Sequence, residues 1–329
     1  MIEVFSGSNP ATAFVRMFIE PSNRWFLLYA LSSFTAALAV FIYQASRTPG
    51  MTKGGLLNYI FPKETYRHRS AIADYWFFVA NKLVFAIGLG ALGGATYLVE
   101  RSTFALLEPF GPAAAGNAPV WLAMSVNTLA WALAADFGLW LAHYFLHKSP
   151  ILWEFHKVHH SAEVLTPITA GRVHPVDDAL SILFSAFFGG IALALGRFAF
   201  GGEALMFTLF NLNFLLALFY IFGFHLRHSH VWLPYTGIWG KIFVSPAHHQ
   251  VHHSVAQRHW DKNLGFMFAI WDWLFGTLYP VDKREEFSFG VNGAEEAEYH
   301  SVLALYLLPF RKVWRRLARP APTRGLKVD

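Results

Sequence analysis

Asp136 to Ser161 reads DFGLWLAHYFLHKSPILWEFHKVHHS, an apolar run that passes directly into histidines. The run from Pro119 to Ala142 has the length of a bilayer crossing, about 20 residues. His143 and His147 therefore stand where a membrane helix leaves the hydrocarbon, four residues apart and on one face, one turn above the other. In HKVHH, His156 and His160 repeat that relation, and His159 flanks the same face. Three imidazoles from one and a half turns can converge on one or two metal ions.

Working outward, HKVHH recurs as HQVHH, His249 to His253, inside SPAHHQVHHS, and HLRHSH adds His225, His228 and His230. Imidazole titrates near neutrality and binds metal through one nitrogen at a time, so such clustering is poorly explained as packing. Eight or nine neutral imidazoles exceed the about four to six positions of one ion, which points to a dinuclear centre. His68, His259 and His300 stand alone and read as surface or internally satisfied residues.

The surroundings are those of a membrane protein: 55% of the 329 residues are hydrophobic and 14% charged, against about a quarter charged in soluble domains. Absence of cysteine excludes disulfides, thiolate haem, iron–sulfur clusters and thiol nucleophiles, so any metal is held by nitrogen or oxygen. The net charge of +5 comes from basic residues at the ends of apolar runs and in the tail, where they suit anionic lipid headgroups. With no recognition module beside that charge, nucleic acid is not an expected partner.

Five apolar stretches of bilayer length are expected to cross as helices: Trp25 to Tyr43, Tyr75 to Val99, Pro119 to Ala142, Leu180 to Phe200 and Ala204 to Phe224, the last two forming a hairpin over 180–224. Met1 to Arg24 lacks the marks of a signal peptide and reads as an amphipathic lead-in. Arg47, Lys53, Lys63, Arg67 and Arg69 in the first loop, against Arg101 alone in the second, place the first loop in the cytoplasm. Alternation then puts every histidine on that side, with the segment after His225, which holds 13 of the 26 Lys and Arg residues. The fold class is an all-α integral membrane protein of about five transmembrane helices under a cytoplasmic, histidine-rich helical cap. Residues 1–142 form the N-terminal membrane part, 143–280 the histidine-bearing catalytic part, and 281–329 a basic amphipathic tail. In that tail Leu303 to Arg319 suits an interfacial anchor, although Pro309 should interrupt a continuous helix. GLGALG at 88–93 matches a dinucleotide fingerprint but lies in an apolar run without a preceding strand; Gly90 and Gly94 instead suit close helix packing. Reducing equivalents must then come from a partner.

Imidazole alone does not select the metal. Two iron ions can each give an electron to dioxygen, and an all-nitrogen, thiol-free site at a membrane surface suits oxidation of a lipid C–H bond. A dinuclear zinc hydrolase acting on a lipid is the alternative from another class, and a metal transporter is disfavoured because the histidines lie outside the apolar runs.

These histidine runs, with TAGRVHP, HSHVWLP and DKNLGFMFAIWDWLFGT, resemble the sterol desaturase and fatty acid hydroxylase superfamily of integral-membrane diiron enzymes, over about Asp136 to Pro280. The resemblance implies two iron ions held by His143, His147, His156, His159, His160, His249, His252 and His253, with His228 matching an isolated histidine of the family. It implies hydroxylation of a membrane lipid with dioxygen and electrons from an external donor such as a ferredoxin, a cytochrome b5-like protein or a reductase. Desaturation of a lipid or sterol uses the same motifs. His230 stands where the family has asparagine. His225, three residues before His228, is a further ligand candidate, whereas His248 is out of phase with His249 and expected to point away. Asp136, two turns before His143 on the same helix face, is expected to orient a ligating imidazole, as are Asp261 or Asp272, with His174 and His230 as further supporting or substrate-contacting positions.

Overall fold

The computed structural model describes residues 10–47, 55–84, 90–111, 118–291 and 293–318. Among these residues there are fourteen α-helices. They are α1 (Pro10–Ile19), α2 (Leu27–Arg47), α3 (Gly55–Ile60), α4 (Lys63–Tyr66), α5 (Arg69–Val84), α6 (Ala95–Leu107), α7 (Val120–Lys148), α8 (Leu152–His160), α9 (Pro175–Phe200), α10 (Phe214–Phe222), α11 (Gly237–Ile242), α12 (Pro246–His252), α13 (Ile270–Phe275) and α14 (Val302–Ala318). One small antiparallel hairpin, β1 (Thr208–Leu209) with β2 (Leu212–Asn213), and several short 3₁₀ segments complete the regular structure among the described residues.

Three helices, α2, α7 and α9, are long and apolar enough to cross a membrane, and they mark the chain as a membrane protein. They coincide with three of the five expected stretches. α9 has Pro175 in its first turn, where a missing N–H costs nothing, and His174 caps it by accepting from the Val176 amide. α7 and α9 form an antiparallel spine whose contacts are set by small residues: Gly138 faces the Phe184 backbone, Gly189 meets Trp131 and Ala135, and Gly196 meets Asn127. On the other side of α9, Gly190 touches Thr96 and Val99 of α6, and Arg197 pairs with Glu100 at 2.7 Å.

The other two stretches are built from shorter pieces. Tyr75 to Val99 divides into α5, a 3₁₀ segment at Gly90–Gly94 and α6, as expected where glycines lower helix propensity by about 1 kcal/mol each. Residues 85–89 lie outside the described part. A methyl group on Gly94 would meet no atom within 4 Å, so the close packing expected at Gly94 is not made, while the packing of Gly90 lies outside the described part. Ala204 to Phe224 becomes β1, β2 and the nine-residue α10, because Phe210 and Asn211 turn through the left-handed region and Asn213 caps α10 while donating to the Thr128 carbonyl. The expected helical hairpin over 180–224 is therefore one helix and an irregular return. The return still ends where the excursion began, since Asp177 and His228 both reach the histidines.

Two buried contacts fix the cap. Arg172, fully buried, reaches Asp74 at 2.6 Å, Ser161 Oγ at 2.7 Å and the Val158 and Tyr299 carbonyls. α14 lies across α8, with Leu305, Leu308 and Tyr299 packed on Val158 and Phe77. It continues through Pro309 rather than breaking there. Its opposite side leaves Leu303, Leu307, Phe310, Trp314 and Leu317 exposed in one stripe.

Candidate metal centre

Nine histidines meet beneath the cap. The end of α7 supplies His143 and His147, α8 supplies His156, His159 and His160, the turn directly after the 3₁₀ segment at Phe224–Leu226 supplies His228, and α12 with its C-cap supplies His249, His252 and His253. They divide into two groups, His143, His147, His156, His160 and His252 in one and His159, His228, His249 and His253 in the other, with ring nitrogens within 4.8 Å of one another in each.

The inward nitrogens face each other. Nε2 of His156 lies 2.9 Å from Nε2 of His143 and 3.1 Å from Nε2 of His160. In the second group the corresponding separations are 3.3 Å for His159 and His228, 2.9 Å for His228 and His249, and 3.1 Å for His249 and His253. Nitrogens bound at about 2.1 Å to one ion are separated by about 3 Å, so this spacing suits neighbouring ligands. The Nε2 atoms of His147 and His252 are buried without a hydrogen-bond partner. Such orphaned nitrogens fit a metal and are costly without one.

The outward nitrogens fix the tautomers. Nδ1–H donates to the Leu264 carbonyl in His143 (2.7 Å), to Asp261 in His147 (3.3 Å), to Asp177 in His156 (2.6 Å), to the Arg172 carbonyl in His159 (3.2 Å) and to the Lys262 carbonyl in His252 (2.9 Å). Each acceptor holds the proton outside and leaves an Nε2 lone pair facing in. His249 differs: a guanidinium nitrogen of Arg227 lies 2.8 Å from its Nδ1 and can only donate. With Nδ1 accepting, the His249 ring proton sits on Nε2; to serve as a ligand His249 would need that nitrogen of Arg227 turned to the Gly265 carbonyl, 3.3 Å away.

Burial, reinforced by the neighbouring imidazoles, pushes His159, His160 and His253 far below the usual histidine range. Burial and Arg227 do the same for His228 and His249, and burial takes His252 to about 3. Neutral rings are the form a metal requires.

Other expected site residues fall elsewhere. His225 belongs to neither group; the tight turn at Phe224–Leu226 sends it against Trp25 and Phe224 rather than along the direction of His228. Asp136 touches no imidazole but accepts from the Met267 and Phe268 amides and Trp271 Nε1, pinning the segment after Leu264. Asp272 acts one step removed, holding the Leu264 and Gly265 amides and Trp140 while the Leu264 carbonyl takes His143. His174 is the cap of α9 and reaches the Tyr306 carbonyl, and His230 reaches the Tyr59 carbonyl. Asp261 does meet His147, shared with Lys148 at 2.5 Å. His248 turns from the centre to Ser245 Oγ at 2.7 Å, as its phase required. Asp177 and Arg172 were not read from the sequence. Asp177 looks like an ordinary acidic residue in a first helical turn, and Arg172 acts through its backbone carbonyl, which no side-chain pattern marks.

Two cavities approach the centre. An outer one of about 440 Å³ touches His147, His160, His252 and His253 between Trp153 and Trp260. An inner one of about 150 Å³ touches histidines of both groups and is walled by Leu139, Leu146, Phe224 and Phe266.

Residues 128–277 match the fatty acid hydroxylase family. An ornithine lipid hydroxylase from Rhizobium tropici is 30% identical over 193 residues, covering 59% of this chain and 53% of that protein. Alkylglycerol monooxygenase from Homo sapiens is 32% identical over 153 residues, 46% of this chain and 30% of the other. A Delta(7)-sterol 5(6)-desaturase from Eremothecium gossypii is 24% identical over 171 residues, 50% of this chain and 41% of the other. The chain thus spans about half the length of these relatives or less. No solved structure matches it.

Proposed function

Since the chain belongs to the fatty acid hydroxylase and sterol desaturase superfamily, we propose that it is a membrane-bound lipid hydroxylase with two iron ions. The balanced reaction is R–H + O2 + 2 e⁻ + 2 H⁺ → R–OH + H2O. The supporting observation is the division of nine imidazoles into two groups, histidines of both of which line one cavity with an apolar wall. His143, His147, His156, His160 and His252 would hold one ion, and His159, His228, His249 and His253 the other. Bound iron supplies the electron-transfer chemistry that activates dioxygen.

The protein's own groups hold and enclose. Asp177, Asp261 and the Leu264, Arg172 and Lys262 carbonyls keep five imidazole protons on the outer nitrogens. Leu139, Leu146, Phe224 and Phe266 offer an apolar wall to the lipid and exclude water. Electrons come from a separate carrier, a ferredoxin, a cytochrome b5-like protein or a reductase. The histidine cluster faces the cytoplasm in this reading, following the Lys and Arg of the first loop.

Desaturation is the second reading, favoured by the sterol desaturase relative. Mass spectrometry of total lipids from cells with and without the protein separates the two: one added oxygen is expected, whereas loss of two hydrogens identifies a desaturase. Product formed equally without dioxygen would exclude both and leave a hydrolase.

A further inference from the structure

The inner cavity does not end in hydrocarbon. Arg24, in the connection from α1 to α2, and Asp178, in the first turn of α9, line it together with His143, His156 and His228. Lys82 of α5 stands against the same Trp25 ring as Arg24. Among the described residues none of the three makes an ion pair or a side-chain hydrogen bond. Three other cations have carboxylate partners, Arg172 with Asp74 at 2.6 Å, Arg197 with Glu100 at 2.7 Å and Lys157 with Glu154 at 2.9 Å, while Arg227, which also lines the cavity, is held by the Phe266 and Gly265 carbonyls and by His249 Nδ1. Arg24 and Lys82 instead share an aromatic platform. The Arg24 guanidinium is 5.8 Å from the Trp25 ring centre and 6.0 Å from Phe224, and the Lys82 ammonium is 5.5 Å from Trp25 and 4.8 Å from Phe78. Trp25, Phe78 and Phe224 are themselves buried. Arg24 and Asp178 at the cavity, with Lys82 on the shared aromatic platform, lack ion-pair partners, which is expensive unless an occupant completes them.

We propose that Arg24, Lys82 and Asp178 form a headgroup site for a zwitterionic lipid, the cations taking its carboxylate or phosphate and Asp178 its ammonium. The proposal rests on the inner cavity being the reaction chamber of the hydroxylase reading above. It narrows the substrate class, because a plain acyl chain, a sterol or an alkylglycerol offers neither charge. It also fixes the position of oxidation. Arg24, Asp178 and the histidines line the same small cavity of about 150 Å³, so the oxidised carbon is expected near the head rather than far along the chain.

Binding to the full-length protein in detergent tests the site independently of turnover. The probes are N-palmitoyl-lysine, its methyl ester, its Nε-acetyl derivative, lysophosphatidylethanolamine and 1-O-hexadecylglycerol. N-palmitoyl-lysine, lysophosphatidylethanolamine or both are expected to bind about tenfold or more tightly than the three that lack one or both charges, the difference a charge-assisted hydrogen bond makes. Comparison of the two distinguishes a carboxylate from a phosphate head. Arg24→Gln is expected to remove the discrimination against the ester, Arg24→Lys to keep part of it, and Asp178→Asn to remove the discrimination against the acetyl derivative. Equal affinity of the unaltered protein for all five probes overturns the proposal without any variant, as does full selectivity surviving in both Arg24→Gln and Asp178→Asn. Selective binding by a protein that oxidises no lipid keeps the headgroup site and removes the hydroxylase reading. Oxidation of hexadecylglycerol as readily as of the zwitterions, or oxygen placed far along the chain by tandem mass spectrometry, keeps the hydroxylase and removes the site.

Discussion

Asp177 and Asp136 are both buried carboxylates on the two spine helices, yet they support different things. Asp177 accepts directly from His156 Nδ1, so Asp177→Asn is expected to lower metal affinity or activity by about 10–100-fold. Asp136 holds backbone amides, so Asp136→Asn is expected to cost about 1–3 kcal/mol of stability. Bound metal per chain and thermal unfolding, measured on both variants, separate the roles. The same logic divides His249 from His248. His249→Ala should strip metal and abolish lipid oxidation. His248→Ala should keep most of both and lose about 0.5–2 kcal/mol with the contact to Ser245, and equal metal loss in the two would make His248 a ligand. At this scale the sequence was legible wherever a helix set the phase: HxxxH and HxxHH placed eight of the nine clustered histidines by spacing. It was illegible where the helical repeat failed, which is why His225 was joined to His228, and where phase alone did not name the partner: Asp136 is in phase with His143 on α7 but is taken by the Met267 and Phe268 amides.

Among the elements, the α7–α9 spine controls where His143 and His147 stand. A methyl group on Gly138 would collide with the Phe184 backbone carbonyl, which cannot swing aside like a side chain. Gly138→Ala is therefore expected to separate the helices, lower thermal stability and reduce bound metal together, although Ala has the better helix propensity. An unchanged melting temperature would show that the two helices are free to slide. Apolar length alone located α2, α7 and α9. It did not foresee the divisions of Tyr75 to Val99 and Ala204 to Phe224, because each carries a local instruction, a run of glycines or the Asn211 and Asn213 turn, that a mean over about 20 residues conceals. Pro309 erred in the opposite direction, since α14 gains enough by packing on α8 to continue through it.

For the whole molecule, two metal ions per chain are expected, with iron in the active protein. Chelation should lower the melting temperature, because it returns His147 and His252 to an unpartnered state. A fully active preparation containing one zinc and no iron would exclude the oxygenase chemistry. Cysteines placed at His68 and Ser301 should label from the cytoplasm and one at Gly116 from the opposite side; labelling of all three from one side would overturn the proposed topology. The two histidine groups also differ in when the ribosome delivers them. A nascent chain that has reached α9 already owns four of the five imidazoles of the first group, but only His159 of the second. One metal position can thus be largely furnished early in synthesis, while the other waits for His228, His249 and His253. The ligands of the pair are in this sense supplied in the order of translation, and a chain truncated before α10 would carry only part of the centre.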